Sequence, residues 1–190
     1  MRVLLYRHGR TAWNDQGRYQ GRTDVPLSPQ GMEELAPAPF SVQRVYVSPL
    51  TRARQTAARF FPGAELIPVP GFTEFDFGTF EGRTWREMES DPDYRAWVEG
   101  GCEGRCPGGE DLPGFRARTL AAFLPLMKGE DLTVVAHSGT LMAILEAFAL
   151  PERRYFDWLT PCGGGYELDG SLWREKRKLT LVRTLGGVEP

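Results

Sequence analysis

The first strand is predicted by residues 3–9, which read VLLYRHG. The run from Val3 to Tyr6 is β-branched, aliphatic and aromatic, which is typical of a buried strand, and it stops at Arg7-His8-Gly9. A second apolar run, LTVVA at residues 132–136, predicts a central parallel strand covered on both faces, and it stops at His137. The chain has two histidines, and each lies at the end of one of these runs. We therefore expect both imidazoles at the same edge of one sheet, although either one taken alone is more readily explained as a histidine satisfied by local hydrogen bonds.

The rest of the chain alternates between strand and helix patterns. Residues 166–182 contain two strand-like runs around Asp169-Gly170, a dipeptide typical of a β-hairpin. Further strands are predicted at 42–47 and 65–69, and helices at 28–36, 50–61, 84–98, 111–127 and 139–150. This alternation predicts an α/β fold, a three-layer α/β/α sandwich with a mostly parallel central sheet. In such sheets ligands bind beyond the carboxyl ends of the strands, where the histidines are expected.

Length and composition indicate one folded domain over residues 1–190. The chain has 190 residues, of which 41 % are hydrophobic and 25 % charged, close to the average of globular domains. Its longest stretch without Asp, Glu, Lys or Arg is 132–145, 14 residues, whereas a membrane-spanning helix needs about 20 apolar ones. No membrane partner is expected, and the absence of a signal-peptide pattern predicts a cytoplasmic location. The three cysteines, Cys102, Cys106 and Cys162, are expected to be reduced and to bind no metal.

The charge distribution is more informative than the net charge. The net charge of −2 argues against nucleic acid as a partner. Residues 1–59, however, hold nine Arg, no Lys and four acidic residues. The planar fork of donors on Arg matches phosphate oxygens, so this arginine-rich end is compatible with a phosphorylated ligand. A compositional bias of the whole chain explains the arginine content equally well. Only the individual arginine positions can distinguish a phosphate-binding role from such a bias.

Several of those positions suit phosphoryl chemistry. A neutral imidazole at His8 is a competent nucleophile toward phosphorus if its other nitrogen is held by an acceptor. A phosphoryl group in transfer carries negative charge on its oxygens, so fixed cationic donors are needed beside it, and Arg7 is adjacent. Arg52 lies where the second strand turns into its helix, within residues 48–57, and a helix start also favours an anion. Taken alone, Arg52 is more readily explained as a solvated arginine in a first helical turn.

The order of these motifs resembles the histidine phosphatase superfamily, in its phosphoglycerate mutase-like branch. The resemblance extends from residue 2 to about residue 140. It rests on these blocks: Leu5 to Gly9 with Thr11 and Asn14, Gln20-Gly21, Asp24, Pro26-Leu27, Gly31, Ser48 to Ala57, Glu74 to Gly78, Glu81-Gly82, Pro107 to Glu110, and His137.

The resemblance implies a phosphoglycerate mutase-like fold and one active site that catalyses a two-step reaction. His8 would accept the phosphoryl group as a phosphohistidine, and water would then remove it. By similarity, Arg7, Arg52 and His137 hold the phosphate oxygens and Glu74 serves as general acid and then base. The remaining substrate-binding residues implied by the resemblance are Asn14, Gln20, Gly21 and Ser138. It implies no metal and no other cofactor.

Three functions remain as hypotheses. A metal-independent phosphatase acting on a small phosphorylated metabolite is favoured, since Trp85 stands where cofactor-dependent mutases have Lys and the segment 100–109 is shorter than theirs. The motif form also resembles α-ribazole phosphatases and broad-specificity acid phosphatases. The alternatives are a phosphoglycerate mutase and a non-catalytic phosphate-binding module.

Substrate specificity is expected in the loops 10–23, 71–86 and 100–111, where aromatic residues are available to stack on a ring. These residues are Trp13, Phe75, Phe77, Phe80 and Trp85. The sequence leaves the oligomeric state and the particular substrate open.

Overall fold

The computed structural model describes residues 1–186, which form one seven-stranded sheet with helices on both sides. The strands are β1 (Arg2–Arg7), β2 (Arg44–Val47), β3 (Glu65–Pro68), β4 (Leu132–Ala136), β5 (Ala149–Leu150), β6 (Gly165–Asp169) and β7 (Leu179–Leu185). The α-helices are α1 (Ala12–Asp15), α2 (Pro29–Glu33), α3 (Thr51–Phe60), α4 (Pro92–Glu99), α5 (Leu112–Phe123), α6 (Ser138–Phe148) and α7 (Trp173–Lys176). Short 3-10 helices cover Pro70–Phe72, Gly78–Phe80, Arg86–Met88, Leu124–Leu126 and Tyr155–Trp158.

The sheet order places β1 and β4 side by side at the centre. The order is β3-β2-β4-β1-β6-β7-β5. The pairs β3-β2, β2-β4, β4-β1 and β7-β5 are parallel, and only β1-β6 and β6-β7 among the described strands are antiparallel. The predicted mostly parallel sheet is thus confirmed, with its antiparallel part supplied by the chain after residue 164.

Alternate residues of β1 enter two separate cores, as expected for a strand buried on both faces. Val3 and Leu5 belong to the larger cluster, which includes residues of α5 and α6. Leu4 and Tyr6 belong to the second cluster, which includes residues of α3. Because side chains of a strand alternate between faces, these two clusters lie on opposite sides of the sheet and the three-layer arrangement is confirmed.

Proline shortens several predicted helices. The pattern over 84–98 is interrupted at Asp91-Pro92, because the residue before proline is disfavoured in the helical conformation; α4 begins only there, with Asp91 as its N-cap. Likewise α5 ends at Phe123, and Pro125 lies in a 3-10 turn. The predicted start of α2 is confirmed, since the Ser28 hydroxyl accepts from the Gly31 N–H at 3.0 Å.

Three further details differ from the sequence prediction. The runs at 166–182 do pair as antiparallel strands, but α7 lies between them, so Asp169-Gly170 is not a two-residue hairpin turn. The helix predicted to reach residue 150 ends at Phe148, and its last two residues form β5 beside β7. The loop after β1 contains α1, which was not predicted. No helix within residues 1–186 is long and apolar enough to cross a membrane.

Candidate active site

The two histidines meet at the carboxyl edge of the sheet. In the β1-β4 pair Arg7 lies opposite Ala136, and the His8 N–H donates to the Ala136 carbonyl at 3.0 Å. Both strands end at this point. The centroids of the His8 and His137 rings are 5.1 Å apart, with an interplanar angle of 63°. Both side chains are buried. Adjacent parallel strands of matched register therefore bring together two residues that are distant in sequence.

Backbone contacts fix the tautomer of His8. Its Nδ1 lies 2.7 Å from the Gly9 carbonyl oxygen, and because a carbonyl can only accept, Nδ1 carries the proton. Gly9 is held in turn by its N–H, which donates to Thr56 Oγ1 at 2.9 Å. Burial lowers the pKa of His8 well below its ordinary value of 6.5, and the nearby Arg52 and Arg7 add to this effect. His8 is consequently neutral at neutral pH, with its lone pair on Nε2.

Ser48 orients the second histidine. His137 Nε2 is 2.7 Å from Ser48 Oγ, at the carboxyl end of β2. The Nδ1 atom of His137 is buried and has no hydrogen-bond partner among the described residues. Burial and the positive charge of Arg52 lower the pKa of His137 as well. When the Ser48 hydroxyl donates to Nε2, the neutral ring presents an Nδ1–H that is free to donate.

Arg52 supplies a buried positive charge behind the histidines. It lies in the first turn of α3, is fully buried, and donates to the carbonyl oxygens of Thr23 (2.9 Å) and Gly21 (2.7 Å). The Gln20 amide is 3.2 Å from Nε and Nη1 of Arg52, and it satisfies both neighbours when its oxygen faces the guanidinium and its nitrogen faces Thr11. Burial lowers the pKa of Arg52 to about 10, so it remains a cation at neutral pH.

Arg7 supplies a second positive charge near the histidines. Its Nη1 donates to the Thr160 carbonyl at 2.6 Å, which fixes the guanidinium. Its Nε is buried and has no hydrogen-bond partner among the described residues. A donor of this kind is available to an anionic ligand, because no protein acceptor competes for it.

Glu74 is a buried carboxyl group held at the start of a helix. Its Oε1 accepts from the Phe75 N–H at 2.9 Å and its Oε2 from the Gly139 N–H of α6 at 3.1 Å. Burial raises the pKa of Glu74 above its ordinary value of 4.5, although both hydrogen bonds and the nearby arginines oppose that shift. This carboxyl group can therefore carry a proton closer to neutral pH than an exposed glutamate does.

The loop that carries Glu74 is fastened by an ion pair outside the cavity. Arg118 of α5 donates to Glu110 at 2.7 and 2.8 Å and also to the carbonyl oxygens of Thr73 (2.7 Å) and Glu74 (2.9 Å). Glu110 accepts from the Asp76 N–H at 3.0 Å on the other side of Glu74. The backbone on both sides of the carboxyl group is thus tied to one helix.

A cavity of about 370 Å³ opens beside these groups. Six residues expected at the site line it, namely Arg7, His8, Asn14, Gln20, Glu74 and Ser138. Arg52, His137 and Gly21 do not line it; the first two are fully buried, and Gly21 contributes the carbonyl that anchors Arg52. The Ser138 hydroxyl is buried and has no partner among the described residues. Asn14 Oδ1 instead accepts from the N–H of Thr11, the N-cap of α1, at 3.0 Å.

Of the aromatic residues expected at the ligand, Phe75 and Phe77 line the cavity. Phe80 is buried in the core, and Trp13 and Trp85 are not part of the lining. Within residues 1–186 no cluster of three or more His, Cys, Asp and Glu side chains has the arrangement of a metal site. Cys102, Cys106 and Cys162 are free thiols.

Sequence reasoning missed several residues that hold this site together. Ser48 follows β2 at the same edge as the histidines, so the strand-end rule that singled out His8 also applied to it. Arg118 and the carbonyl of Thr160 carried no such signal, because their roles depend on contacts between elements that are distant in the chain.

Fold and site together define the chain as a member of the class that contains phosphatases and phosphoglycerate mutases. It belongs to the histidine phosphatase superfamily (branch 1), whose family model matches residues 3–163.

Known relatives span both kinds of reaction. The chain is 32% identical over 163 residues to the 2,3-bisphosphoglycerate-dependent phosphoglycerate mutase 2 of Gloeobacter violaceus, covering 75% of this chain and 73% of that protein. It is 33% identical over 159 residues to the metal-independent phosphoserine phosphatase of Arabidopsis thaliana, covering 75% and 66% respectively. The crystal structure of the alpha-ribazole phosphatase from Shigella flexneri superposes with a TM-score of 0.83 over 100% of both chains at 24% identity, a likeness of fold.

Proposed function

We propose that the chain is a metal-independent phosphatase that hydrolyses a small phosphomonoester through a phosphohistidine on His8. The observation that carries the proposal is the 2.7 Å hydrogen bond from His8 Nδ1–H to the Gly9 carbonyl, which leaves Nε2 as the nucleophilic nitrogen. The lowered pKa of His8 keeps that nitrogen unprotonated at neutral pH.

In the first step, Nε2 of His8 attacks phosphorus, and the bond from phosphorus to the ester oxygen breaks. Protonated Glu74 donates its proton to the departing oxygen, so an alcohol leaves and Glu74 becomes a carboxylate. The raised pKa of Glu74 supports this role, because a general acid has to hold its proton until the bond breaks.

In the second step, the Glu74 carboxylate takes a proton from water as the water oxygen attacks the phosphohistidine. The N–P bond breaks, inorganic phosphate leaves, and His8 and protonated Glu74 are regenerated. The two steps balance as the addition of one water molecule to the ester.

The three oxygens that carry charge during transfer need fixed donors. We assign Arg7, Arg52 and His137 to them, with Asn14 and Ser138 assisting at the cavity end. The unpartnered Arg7 Nε and His137 Nδ1 support this assignment. Since two guanidinium groups compensate the phosphoryl charge, the reaction requires no metal ion.

Hydrolysis of p-nitrophenyl phosphate in the presence of EDTA tests the proposal. The wild-type chain should release phosphate at the same rate with and without EDTA, and His8→Ala should lose on the order of 10⁴-fold in kcat/KM. Arg44→Ala, a half-exposed residue at the start of β2, is the matched control and should keep full activity. Activity unchanged in His8→Ala would refute the proposal.

Two further measurements separate the alternatives. Rapid quenching in alkali followed by mass spectrometry should place a phosphoryl group on His8, whereas a phosphate-binding module would show none. A phosphoglycerate mutase would instead convert 3-phosphoglycerate to 2-phosphoglycerate faster than it releases phosphate, and 2,3-bisphosphoglycerate would stimulate this conversion.

A further inference from the structure

The cavity beside His8 has an aromatic wall. Tyr19, Phe77 and Trp97 contact one another, with ring centroids 5.1 Å apart for Tyr19 and Phe77, 6.0 Å for Tyr19 and Trp97, and 6.1 Å for Phe77 and Trp97. Phe75 extends the cluster, at 4.8 Å from Phe77. All four line the cavity next to the residues assigned to the phosphoryl group.

The polar atoms of this wall are already satisfied within the protein. The Tyr19 hydroxyl is 2.9 Å from that of Tyr94, and the Trp97 indole N–H donates to the Gly104 carbonyl at 3.1 Å. A ligand therefore meets these side chains as hydrophobic surfaces, and a polar group placed against them would lose hydrogen bonds to water without gaining new ones.

Cations for a second anionic group are scarce in the cavity. Of its lining residues only Arg7 and Arg18 are permanent cations, and Arg7 belongs to the phosphoryl end. The Arg18 side chain donates to Gln16 at 2.7 Å and to Glu87 Oε2 at 3.1 Å. A substrate carboxylate would have to compete with Glu87 for this guanidinium, which weakens its binding.

The rim of the cavity is also apolar. Phe156 and Leu159 line it and are 57% and 63% exposed, among the most exposed large hydrophobic residues in the described chain. Their exposure means that they are not needed to fill the core, so they are available to cover a ligand that extends from the aromatic wall.

We propose that the preferred substrates are phosphomonoesters of alcohols that carry an uncharged ring, and that esters with a carboxylate or ammonium group are poor substrates. This proposal rests on the proposed function. The cavity of about 370 Å³ accommodates such a ligand, since a cavity of about 150 Å³ suffices for benzene. It separates this chain from phosphoserine and phosphoglycerate chemistry, although relatives carry those names.

Three substrates that all release a primary alcohol test the preference without a change in leaving-group type. They are 2-phenylethyl phosphate, glycerol 3-phosphate and O-phosphoserine. We expect kcat/KM for 2-phenylethyl phosphate to exceed the other two by about tenfold or more. An equal or higher value for O-phosphoserine or glycerol 3-phosphate would overturn the proposal while leaving the proposed phosphatase function intact.

Variants at the rim locate the source of the preference. The double variant Phe156→Ala, Leu159→Ala should lower kcat/KM for 2-phenylethyl phosphate by about threefold to tenfold and leave that for glycerol 3-phosphate unchanged. Trp85→Ala removes a side chain that is 53% exposed but outside the lining, so it should change neither value. An equal loss for both substrates in the double variant would contradict a specificity role for the rim.

A binding measurement separates failure of this proposal from failure of the proposed function. Calorimetric titration with 3-phenylpropylphosphonic acid and with 2-amino-4-phosphonobutanoic acid compares the same two substituents on non-hydrolysable phosphonates. If the chain proves to have no phosphatase activity but binds the phenyl compound more tightly, the ring-binding site is supported and the proposed phosphatase reaction is refuted. Equal binding of the two phosphonates would refute the preference for an uncharged ring.

Discussion

Gly139 holds the carboxyl group of Glu74 from the first turn of α6, through a hydrogen bond of 3.1 Å from its N–H to Oε2. The absence of a side chain at this position is required, because a Cβ there would clash with Glu74 Oε1 and approach Tyr155 Oη to 3.2 Å. Gly139 is therefore needed because the Glu74 carboxyl group approaches its backbone closely, and not because the backbone adopts an unusual conformation there.

Gly139→Ala should displace the carboxyl group and reduce kcat/KM for an alkyl phosphate by on the order of 100-fold, since a displacement of about 1 Å has an effect of that size. The fold should persist, as alanine favours a helix more than glycine does. Steady-state kinetics and thermal unfolding check both statements. Gly104→Ala, where a Cβ would meet no atom within 4 Å, is the control and should behave as wild type. Equal kinetics in the two variants would contradict the account of Glu74.

Replacing Glu74, the proposed general acid, should have an effect that depends on the leaving group. Glu74→Gln keeps the size of the side chain but has no proton to donate, so kcat/KM should fall by about 10² to 10⁴ for 2-phenylethyl phosphate. It should fall much less for p-nitrophenyl phosphate, because p-nitrophenolate leaves without protonation. The ratio of the two losses is the measurement, and equal losses would show that Glu74 does not protonate the departing oxygen.

The pH dependence of kcat/KM should be bell-shaped. As pH falls through the lowered pKa of His8, the imidazole gains a proton and loses its nucleophilic lone pair, so the acid limb should lie below 6.5. As pH rises through the raised pKa of Glu74, the acid loses its proton, so the alkaline limb should lie above 4.5. Glu74→Gln should abolish the alkaline limb, whereas any limb caused by ionisation of the substrate would remain. If the alkaline limb survives in this variant, it arises from a group other than Glu74.

The centre of the fold and of the site is predictable from the sequence because both depend on short-range signals. The runs ending at His8 and His137 are continuous apolar segments, and such segments occupy the middle of a parallel sheet, where their ends meet. Helix ends were harder, since Pro92 and Pro125 altered helices whose apolar spacing continued past them.

The supports of the site were not predictable in the same way. Ser48 meets His137 only because β2 and β4 are neighbours in the sheet, a pairing that no local pattern specifies. The aromatic wall is a similar case, because Tyr19 and Trp97 come from loop and helix segments that approach each other only in the folded chain. The motif resemblance predicted which residues face a phosphoryl group, but it carried no information on the surfaces that face the rest of a substrate.

Arg118 should control the reaction without contacting the ligand. It ties the carbonyl oxygens of Thr73 and Glu74 to α5 and pairs with Glu110 through two hydrogen bonds. Arg118→Lys keeps the charge but loses the planar fork, so we expect kcat to fall about 10-fold to 100-fold with little change in KM. The free energy of unfolding should fall by about 1–3 kcal/mol, because buried carbonyl groups lose their donors. Arg116→Lys is the matched control, since Arg116 lies two residues earlier in α5, has a similar exposure and pairs instead with Glu146 at 3.0 Å. If Arg116→Lys lowers kcat as much as Arg118→Lys does, the loss reflects general destabilisation of α5 and not the position of Glu74.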